Sequence, residues 1–556
     1  MTLSKNMNTI IPFCETAKKK GNAVAVAHQV GKKYKEITFA DLDRESTLLA
    51  SGLVRQGIGS GVKTLLMVKP GIKFVSTAIA LFKAGAVPVF IDPGMGLRNL
   101  FNCVEKVEPE AFIGIPKAHI ARLLFRSRFR TAQKLVTIGP KIFWGGSTYN
   151  NLIKGAENDF TIASVEPKDT AAIIFTTGST GPPKGVIYTH AMFRAQTDTI
   201  REQYGTTHGD VDLAAFPLFA LFSVSLGMKA VIPDMDPTKP AKVDPLKIVN
   251  AVNDQGVTFT FGSPAIWERV SSYCEKRSIK LPTLKKVLMA GAPVSMQIHE
   301  RLLNDILTKG AETHTPYGAT EALPIADMKG SEVLSSTGIQ TRDGKGICVG
   351  SPLRNAKIRI IKTTESEIPV WDNSLLAPSG EKGEIVVQGS VVSIGYLRLP
   401  EQTGMAKITD GDSLWHRMGD IGYFDDKGRL WFCGRKNHRV ITSKGTLYSV
   451  CTEAIFNRHP AVLRSALVGL GSLSENGKKF QHPVIVIELK KENIKDNREL
   501  LTHELLALGA KSPLSSSIKD VLYYYDVFPT DIRHNAKIFR EKLKFWAEQQ
   551  LPRLVP

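Results

Sequence analysis

The segment from Ile173 to Val186 combines residue types that are suited to binding an anion. An apolar, strand-like run is followed by glycines, hydroxyl side chains and one lysine. Glycine lets the backbone approach a ligand closely, hydroxyl and N–H groups donate hydrogen bonds, and lysine adds positive charge. The pattern predicts a phosphate-binding loop consisting of Thr176, Thr177, Gly178, Ser179, Thr180, Gly181 and Lys184. The alternative is a flexible surface loop, which the position directly after a buried-type strand disfavours.

This loop is not a Walker A loop, because the spacing GxxxxGK[ST] is absent and Gly185 follows Lys184. Other short motifs follow along the chain, and an earlier one lies at 81–93. They are Ala290–Pro293, Tyr317–Glu321, Gly383–Glu384, Arg417–Asp420, Gly434–Arg435 and Asn535–Arg540. In this order, together with the loop, they resemble the signatures of the adenylate-forming superfamily, which includes acyl-CoA synthetases, luciferases and the adenylation domains of peptide synthetases.

The resemblance implies an enzyme that uses ATP and Mg²⁺ to activate a carboxylic acid as an acyl-AMP. Two anions must then react, so positioning and charge neutralisation dominate catalysis. The resemblance gives each matching position a role. The implied nucleotide-binding residues are Gly291, Ala292 and Pro293 beside adenine, Tyr317 stacking on it, Gly318 next to Tyr317, Thr320 at the α-phosphate, Asp420 at the ribose, and Arg435. Glu321 would bind Mg²⁺, Lys537 would be the catalytic lysine, and Asn437 would lie in a hinge.

Each of these positions also has a structural interpretation. Asp420 fits a turn before Ile421, Glu321 fits the first turn of a helix, and Lys537 fits an exposed lysine before the last helix. The alternative is strongest for Lys537, because this chain has Asn-Ala-Lys where the family has Ser-Gly-Lys. The loop Thr442–Gly445 also departs from the pattern that builds the pantetheine channel in CoA ligases, which places CoA use in doubt.

A narrower resemblance, to the β-lactone synthetases of bacterial olefin biosynthesis, rests on Phe216–Phe222, Val231–Thr238 and Phe528–Arg540. It implies that a long-chain 2-alkyl-3-hydroxy acid is adenylated and that its own hydroxyl then displaces AMP to form a β-lactone. The alternative is a long-chain fatty acyl-CoA ligase. The expected acyl-pocket residues are His190, Phe219, Phe222, Gly262 and Ser263, although the apolar ones also suit an ordinary core.

The elements around these motifs predict an α/β protein. Strand-like runs such as Thr64–Val68 and Lys286–Met289 alternate with helical patterns such as Phe74–Ala84, which indicates mostly parallel sheets flanked by helices. Beyond about residue 350, short strands with Gly and Asp turns predict a β-rich subdomain. We expect a large N-terminal domain over 1–433, a hinge at 434–438, and a small, mobile α+β domain over 439–556.

The composition is that of an ordinary globular chain, with 43% hydrophobic and 22% charged residues among 556. The formal net charge of +19 indicates a polyanionic partner. A nucleic-acid-binding protein is one interpretation, but no zinc finger, RNP motif or aromatic-basic array supports specific binding. The six cysteines are widely spaced and predicted to be reduced, and no apolar segment reaches the length of a membrane span. These features favour a cytoplasmic location.

Positive charge is concentrated in two regions. Residues 111–156 contain eight Lys or Arg and no acid, and residues 434–556 contain 20 Lys or Arg against 12 acids. The second excess suits a domain that closes over ATP. Within the first, 117–134 has the pattern of a basic amphipathic helix, with Ile120, Leu123, Leu124 and Phe129 between arginines. We hypothesise that it contacts the anionic inner membrane or another enzyme of an olefin pathway; a solvated surface helix is the alternative.

Overall fold

The computed structural model describes residues 6–156, 159–176, 181–475, 478–531 and 537–552. The strands within these ranges are β1 (Val24–Val30), β2 (Lys33–Thr38), β3 (Lys63–Met67), β4 (Val87–Phe90), β5 (Ala111–Gly114), β6 (Lys134–Thr137), β7 (Ser147–Thr148), β8 (Thr170–Phe175), β9 (Gly185–Thr189), β10 (Val211–Ala214), β11 (Lys229–Ile232), β12 (Phe259–Gly262), β13 (Lys286–Met289), β14 (Glu312–Ala319), β15 (Ala322–Lys329), β16 (Ile347–Pro352), β17 (Ala356–Ile361), β18 (Gly383–Gly389), β19 (Lys407–Asp410), β20 (Ser413–Phe424), β21 (Leu430–Arg435), β22 (Val440–Thr442), β23 (Gly445–Leu447), β24 (Val462–Glu475), β25 (Lys478–Leu489) and β26 (Asp520–Tyr523).

The helices within the same ranges are α1 (Ile11–Lys19), α2 (Phe39–Arg55), α3 (Ile72–Lys83), α4 (Leu97–Val107), α5 (Pro116–Leu124), α6 (Tyr149–Lys154), α7 (His190–Tyr204), α8 (Phe219–Ser225), α9 (Pro245–Gln255), α10 (Pro264–Arg277), α11 (Met296–Glu300), α12 (Gly330–Glu332), α13 (Gly338–Arg342), α14 (Pro400–Ala406), α15 (Ser449–Phe456), α16 (Arg498–Ala510) and α17 (Arg540–Gln550). No helix in this part of the chain is long and apolar enough to cross a membrane.

Two large sheets contain most of the strands. The smaller has the order β7-β6-β5-β3-β4-β8-β9, and all of its pairs are parallel except β8 with β9. The larger has the order β17-β18-β20-β21-β16-β15-β14-β13-β12-β10-β11-β1-β2, with β19 paired to β20. Its β10 to β14 are parallel, and the pairs from β15 onwards are antiparallel. The predicted α/β class, with a β-rich part after about residue 350, is confirmed.

Helix α3 shows why these sheets need helices on their faces. Ten of its twelve residues are buried, including Lys83. The Lys83 ammonium donates to the Asp43 carboxylate at 2.6 Å, to the Asp43 carbonyl oxygen at 2.8 Å, and to the Thr47 hydroxyl at 2.7 Å. A buried charge is tolerated when it is paired and hydrogen-bonded in this way. The polar contact therefore ties α3 to α2 across an otherwise apolar interface.

The C-terminal segment forms a separate small sheet. Strands β24, β25 and β26 pair in sequence order, and α15, α16 and α17 supply buried apolar side chains around them. The hairpin β22–β23 precedes this sheet. The elements agree in type with the α+β pattern predicted for 439–556, and the boundary of that domain stays a prediction.

The basic stretch 117–134 is not the single amphipathic helix that the sequence predicts. Helix α5 ends at Leu124, and a short 3-10 turn follows over Arg126–Phe129. Phe129 is buried against Phe112, and Arg122 is 8% exposed, so neither lies on a surface stripe. The helix prediction was wrong because the alternation of arginine and apolar residues continues past the end of α5. The change of backbone direction there leaves Arg122 and Phe129 in the interior.

Candidate active site

A cleft of about 2650 Å³ lies where the strands of both large sheets end. The carboxyl ends of parallel strands are where α/β sheets place ligands, and the volume exceeds that of a pocket for one small molecule. It is lined by these predicted residues: Thr176, Gly181, Lys184, Phe219, Phe222, Gly262, Ser263, Gly291, Ala292, Pro293, Tyr317, Gly318, Thr320, Glu321, Asp420, Arg435, Asn437 and Lys537. Residues from more than 350 positions apart in the sequence therefore share one site.

The glycine-rich loop connects two antiparallel strands rather than a strand and a helix. Phe175 pairs with Gly185, and the Thr176 N–H donates to the Lys184 carbonyl oxygen at 3.1 Å, which closes the base of the loop. The Lys184 ammonium lies 4.7 Å from the centroid of the Tyr396 ring, within the range of a cation–π contact. The predicted residues Thr177, Gly178, Ser179 and Thr180 lie outside the described residues.

Thr320 and Glu321 form the two-residue turn between β14 and β15, because Ala319 pairs with Ala322. The Tyr396 hydroxyl donates to Glu321 Oε1 at 2.7 Å, and the Ser393 N–H donates to the Glu321 carbonyl oxygen at 2.8 Å. A Cβ at Gly318 of β14 would lie 2.6 Å from the Ala322 carbonyl oxygen, so only glycine fits at this position beside the turn. The turn holds the Glu321 carboxylate at the cleft, not in the first turn of a helix.

The Glu321 carboxylate suits Mg²⁺ as a single hard ligand. The described residues contain no cluster of three or more His, Cys, Asp or Glu that could hold a metal ion by itself. Magnesium in phosphate-binding sites is commonly held by one or two carboxylates together with substrate phosphates. One carboxylate beside a cationic loop therefore fits a metal that arrives with a nucleotide.

Tyr317, Asp420 and Arg435 form a group at the cleft that is joined by one hydrogen bond and one ion pair. The Tyr317 hydroxyl donates to Asp420 Oδ2 at 2.5 Å, and the Arg435 guanidinium lies 2.9 Å from Asp420 Oδ1. Asp420 and Arg435 are direct partners across β20 and β21. The Asp420 carboxylate keeps the pKa of Arg435 above its usual value, and burial followed by this carboxylate raises the pKa of Tyr317. Asp420 is thus part of a strand, not a turn.

The loop Ala290–Pro293, which the resemblance puts beside adenine, follows β13 directly. Gly291 has a φ of +91°, a conformation that favours glycine, and Ala292 and Pro293 continue along the cleft. The bounds of β13, Lys286–Met289, are those that the sequence predicts. The strand therefore delivers the loop to the same edge of the sheet as Glu321 and Tyr317.

Aromatic rings form an apolar wall deeper in the cleft. The rings of Phe219 and Phe261 stack with centroids 3.7 Å apart, and Phe222 lies 5.8 Å from Phe219 and 5.7 Å from Phe193. Gly262 and Ser263 follow Phe261 at the end of β12 and the start of α10. The packed rings and the open space beside them suit an acyl chain.

His190 does not belong to this wall. It is 2% exposed at the start of α7, it does not line the cleft, and its Nδ1 accepts the Thr9 N–H at 3.1 Å. Burial lowers the pKa of His190 to about 4, so the ring is neutral at pH 7. The assignment to the substrate pocket was wrong because the side chain of the first residue of α7 packs on the N-terminal segment.

Lys537 is held by backbone hydrogen bonds on both sides. Its N–H donates to Asp531 Oδ1 at 3.2 Å, and its carbonyl oxygen accepts the Asp531 N–H at 3.0 Å. The Phe539 N–H donates to the Pro529 carbonyl oxygen at 2.8 Å. We call these paired segments, 529–531 and 537–539, the lysine ladder. It places Lys537 at the cleft, as the resemblance implies.

The predicted hinge, 434–438, covers the end of β21 and a short turn, and its role as a hinge stays a prediction. Gly434 and Arg435 belong to β21, and a short 3-10 turn follows over Lys436–His438 with Asn437 exposed. The Lys436 ammonium lies 3.3 Å from Glu384 Oε2, which also accepts from Arg417 at 2.6 Å. Arg417 and Glu384 are 2% and 1% exposed, so this pair ties the turn to the interior of the β-rich part.

Sequence reasoning missed several residues that the cleft brings together. Tyr188 donates to the Thr320 carbonyl oxygen at 2.6 Å, Tyr396 contacts Glu321, and Asp212 lies buried beside the acyl wall with its pKa raised to about 7 by burial. His416 also lines the cleft. A charged residue inside an apolar strand, such as Asp212 in Val211–Ala214, was a usable signal. Tyr396 belongs to a Gly-Tyr pair that resembles a structural motif of the family, which gave no hint of its contact with Glu321, and Tyr188 carried no signal.

With this geometry established, comparison with known proteins defines the class. The family model of the AMP-binding enzymes matches residues 13–397. The chain belongs to this AMP-binding enzyme family. The structure of MatB from Rhodopseudomonas palustris with bound ATP has a TM-score of 0.77 and 20% identity, covering 98% of this chain and 100% of that one. It shares the fold.

More similar relatives narrow the comparison. A protein named olefin β-lactone synthetase from Stenotrophomonas maltophilia is 42% identical over 544 residues, covering 97% of this chain and 95% of the relative. Its namesake from Xanthomonas campestris pv. campestris is 43% identical, covering 92% and 91%. A long-chain-fatty-acid–CoA ligase of Thermus thermophilus is 24% identical, covering 85% and 84%. The two lactone synthetases are thus much more similar to this chain than that ligase is.

The Tyr317–Asp420–Arg435 group yields a testable prediction. Replacing Asp420 with Asn removes the charge that pairs with Arg435, and hydrogen bonds to charged groups contribute about 1.5–3 kcal/mol each. We expect AMP to bind at least tenfold more weakly by isothermal titration calorimetry. Asp372→Asn, at an exposed loop position, is the control and should leave AMP affinity unchanged. Equal affinities for the two variants would remove Asp420 from the nucleotide site.

Proposed function

We propose that this protein is an ATP-dependent β-lactone synthetase acting on a long-chain 2-alkyl-3-hydroxy fatty acid, as in olefin biosynthesis. The observation that carries the proposal is the identity of 42–43%, over nearly the whole chain, to two proteins of that name. The cleft supports it, because one continuous space adjoins both a cationic loop and an aromatic wall.

In the proposed reaction the substrate carboxylate attacks the α-phosphate of ATP, and pyrophosphate leaves. Lys184 and the rest of the glycine-rich loop hold the triphosphate, and Thr320 contacts the α-phosphate. Asp420 accepts hydrogen bonds from the ribose hydroxyls, while Tyr317 and the loop Gly291–Pro293 enclose adenine. Lys537 lies between carboxylate and phosphate oxygens and stabilises the charge that develops between them. Bound Mg²⁺, held by Glu321, supplies further charge neutralisation.

The second step closes the ring. The 3-hydroxyl oxygen attacks the acyl carbonyl carbon and its proton is released to water, while the bond from that carbon to the phosphate oxygen breaks and AMP departs with the electron pair. The nucleophile is part of the substrate, so holding it against the carbonyl raises its effective concentration without a second substrate. The wall of Phe219, Phe222 and Phe261 would hold the acyl chain in the conformation that places the 3-hydroxyl against the carbonyl carbon.

The alternative is a long-chain acyl-CoA ligase, and the β22–β23 hairpin is the feature that separates them. Thr442 pairs with Gly445, and the Thr442 hydroxyl donates to the Gly445 carbonyl oxygen at 2.8 Å, which makes a tight two-residue turn at Ser443–Lys444. The family's CoA-channel pattern is absent from this turn. A reaction that needs no CoA is consistent with that departure.

The direct test supplies the protein with ATP, Mg²⁺ and a long-chain 2-alkyl-3-hydroxy acid in the absence of CoA. We expect a β-lactone, AMP and pyrophosphate in equal amounts, detected by mass spectrometry and a pyrophosphate assay. The same acid without its 3-hydroxyl is the control substrate and should stop at the adenylate. A thioester formed only on addition of CoA, with no lactone, would establish the ligase instead.

Lys537 should act on the adenylation step. We expect Lys537→Ala to lower pyrophosphate release by about 10²–10³-fold, the size of effect seen when one group that stabilises transition-state charge is lost. ATP binding should stay near normal, because the lysine acts on charge that develops in the transition state. The control is Lys542→Ala, an exposed lysine on α17. Full pyrophosphate release by Lys537→Ala would refute the assignment.

We also propose a cytoplasmic protein that contacts the anionic inner membrane around α5, where olefin-pathway enzymes could assemble. Leu124 and Phe143 are each 75% exposed, and Ile142 is 64% exposed. Trp144 stacks on His119 of α5 at 5.2 Å, which brings the loop carrying Phe143 beside the helix. The same two segments carry exposed bases: Lys117, Arg126, Arg130 and Lys141. Lys117, Ala118 and Ala121 of α5 also line the cleft, so this patch adjoins its mouth.

Co-sedimentation with vesicles tests the membrane contact. We expect binding to phosphatidylglycerol vesicles and little binding to phosphatidylcholine vesicles. The double variant Arg126→Glu/Arg130→Glu should bind at least tenfold more weakly, because each base near such a surface contributes about 1 kcal/mol. Phe143→Ser should also weaken binding, whereas Phe545→Ser, on the exposed face of α17, is the control. Unchanged sedimentation of both patch variants would discard the contact.

A further inference from the structure

His416 and Lys407 form a buried basic pair next to the cleft. They are direct partners across β19 and β20, and they are 2% and 7% exposed. His416 lines the cleft together with Lys184, Glu321 and Tyr396. Neither residue belongs to a motif with a role assigned above. Two basic side chains in the interior of a β-rich subdomain require an explanation, because burial without a counter-charge is costly.

The hydrogen bonding of His416 determines its tautomer. Its Nδ1 lies 3.2 Å from the Ala406 carbonyl oxygen, which can only accept, so Nδ1 carries the hydrogen. Nε2 then has the lone pair and is the nitrogen that remains for a ligand. Protonation of Nε2 would leave the bond to Ala406 intact. The ring can therefore change from acceptor to donor at the cleft without rearrangement of the surrounding structure.

Positive charge dominates around this ring. Burial and then the Lys407 ammonium, Lys184 and Arg435 lower the pKa of His416 well below its usual value. Burial also lowers the pKa of Lys407 to about 7, opposed by the carboxylate of Glu321. The partner of His416 on β18 is the apolar Val387. Two carboxylates lie among these basic side chains. Glu321 accepts a hydrogen bond from the Tyr396 hydroxyl, and Asp420 pairs with Arg435.

Lys407 is also connected to the Glu321 turn. Its ammonium lies 3.3 Å from the Ser393 hydroxyl, and the Ser393 N–H donates to the Glu321 carbonyl oxygen. Lys184, Lys407 and Arg435 thus lie near the two carboxylates Glu321 and Asp420, and positive charge is in excess there when Lys407 is protonated. Such a wall is complemented by an anion of high charge, and bound polyphosphate would raise the proton affinity of a neutral imidazole beside it.

We propose that His416 takes up a proton when a pyrophosphate group binds and donates a hydrogen bond from Nε2 to one of its oxygens, with Lys407 as the positioning residue behind it. The inference rests on the proposed function, which places the triphosphate along the same wall. The proton comes from solvent on binding and returns to solvent when pyrophosphate leaves. No covalent bond changes at either side chain. The pair would therefore stabilise the leaving group of the adenylation step.

Calorimetry of inorganic pyrophosphate with Mg²⁺, at pH 7.5 in buffers of different ionisation enthalpy, measures proton uptake directly. We expect the wild type to take up more protons than His416→Phe and to bind pyrophosphate about tenfold more tightly, the size of one hydrogen bond to a charged group. AMP affinity should be the same for both. His503→Phe, at an exposed position on α16, is the matched control and should behave as the wild type.

Two further variants keep the test decisive if His416→Phe folds poorly. His416→Gln retains an N–H donor that does not titrate, so we expect it to recover pyrophosphate affinity but not proton uptake. Lys407→Met should weaken pyrophosphate binding and leave AMP binding unchanged. Circular dichroism and thermal midpoints confirm folding of each variant.

Unchanged proton uptake and pyrophosphate affinity in folded His416 variants would overturn the inference. Normal pyrophosphate exchange combined with slow ring closure would also overturn it, because the imidazole would then act on the hydroxyl instead. If the wild type makes no lactone, but His416 variants take up fewer protons than the wild type on pyrophosphate binding, the proposed function is refuted and this inference stands.

Discussion

The buried ion pair between Arg417 and Glu384 is the interaction on which the rest of the site depends. It joins β20 to β18 in the interior, and Glu384 also accepts from Lys436 in the turn that leads to the small sheet. Removing one partner of such a pair leaves an uncompensated charge, which typically costs about 3–5 kcal/mol. The pair therefore favours the one register of β20 against β18 in which Arg417 reaches Glu384.

That register matters because β20 supplies two of the residues that line the cleft. His416 precedes Arg417 directly and lies opposite Lys407, while Asp420 follows three residues later and pairs with Arg435. A shift of one residue would exchange the two faces of the strand. The imidazole and the carboxylate would then both be lost from the cleft, so one interior contact determines two separate contributions to it.

The local pattern of apolar and turn residues predicts much of this fold. It predicts the residues of the cleft less completely. Apolar runs such as Lys286–Met289 and the change of character near residue 350 predict the parallel and antiparallel parts well, because strand period and turn residues are local signals. The hydrogen bond from Tyr396 to Glu321 joins residues 75 positions apart, and no local signal predicts it. His190 and 117–134 failed for a related reason, since spacing alone does not determine which side of an element faces the interior.

The lysine ladder has a consequence for how related chains can differ in length. Asp531 and Lys537 exchange hydrogen bonds at its base, so the position of the lysine is set by residues 529–531 and 537–539. The entropy of closing the intervening segment changes slowly with its length. Insertions between these two short segments would therefore cost little energy, and a longer spacing between Pro529 and the lysine is a poor guide to whether a relative retains the reaction.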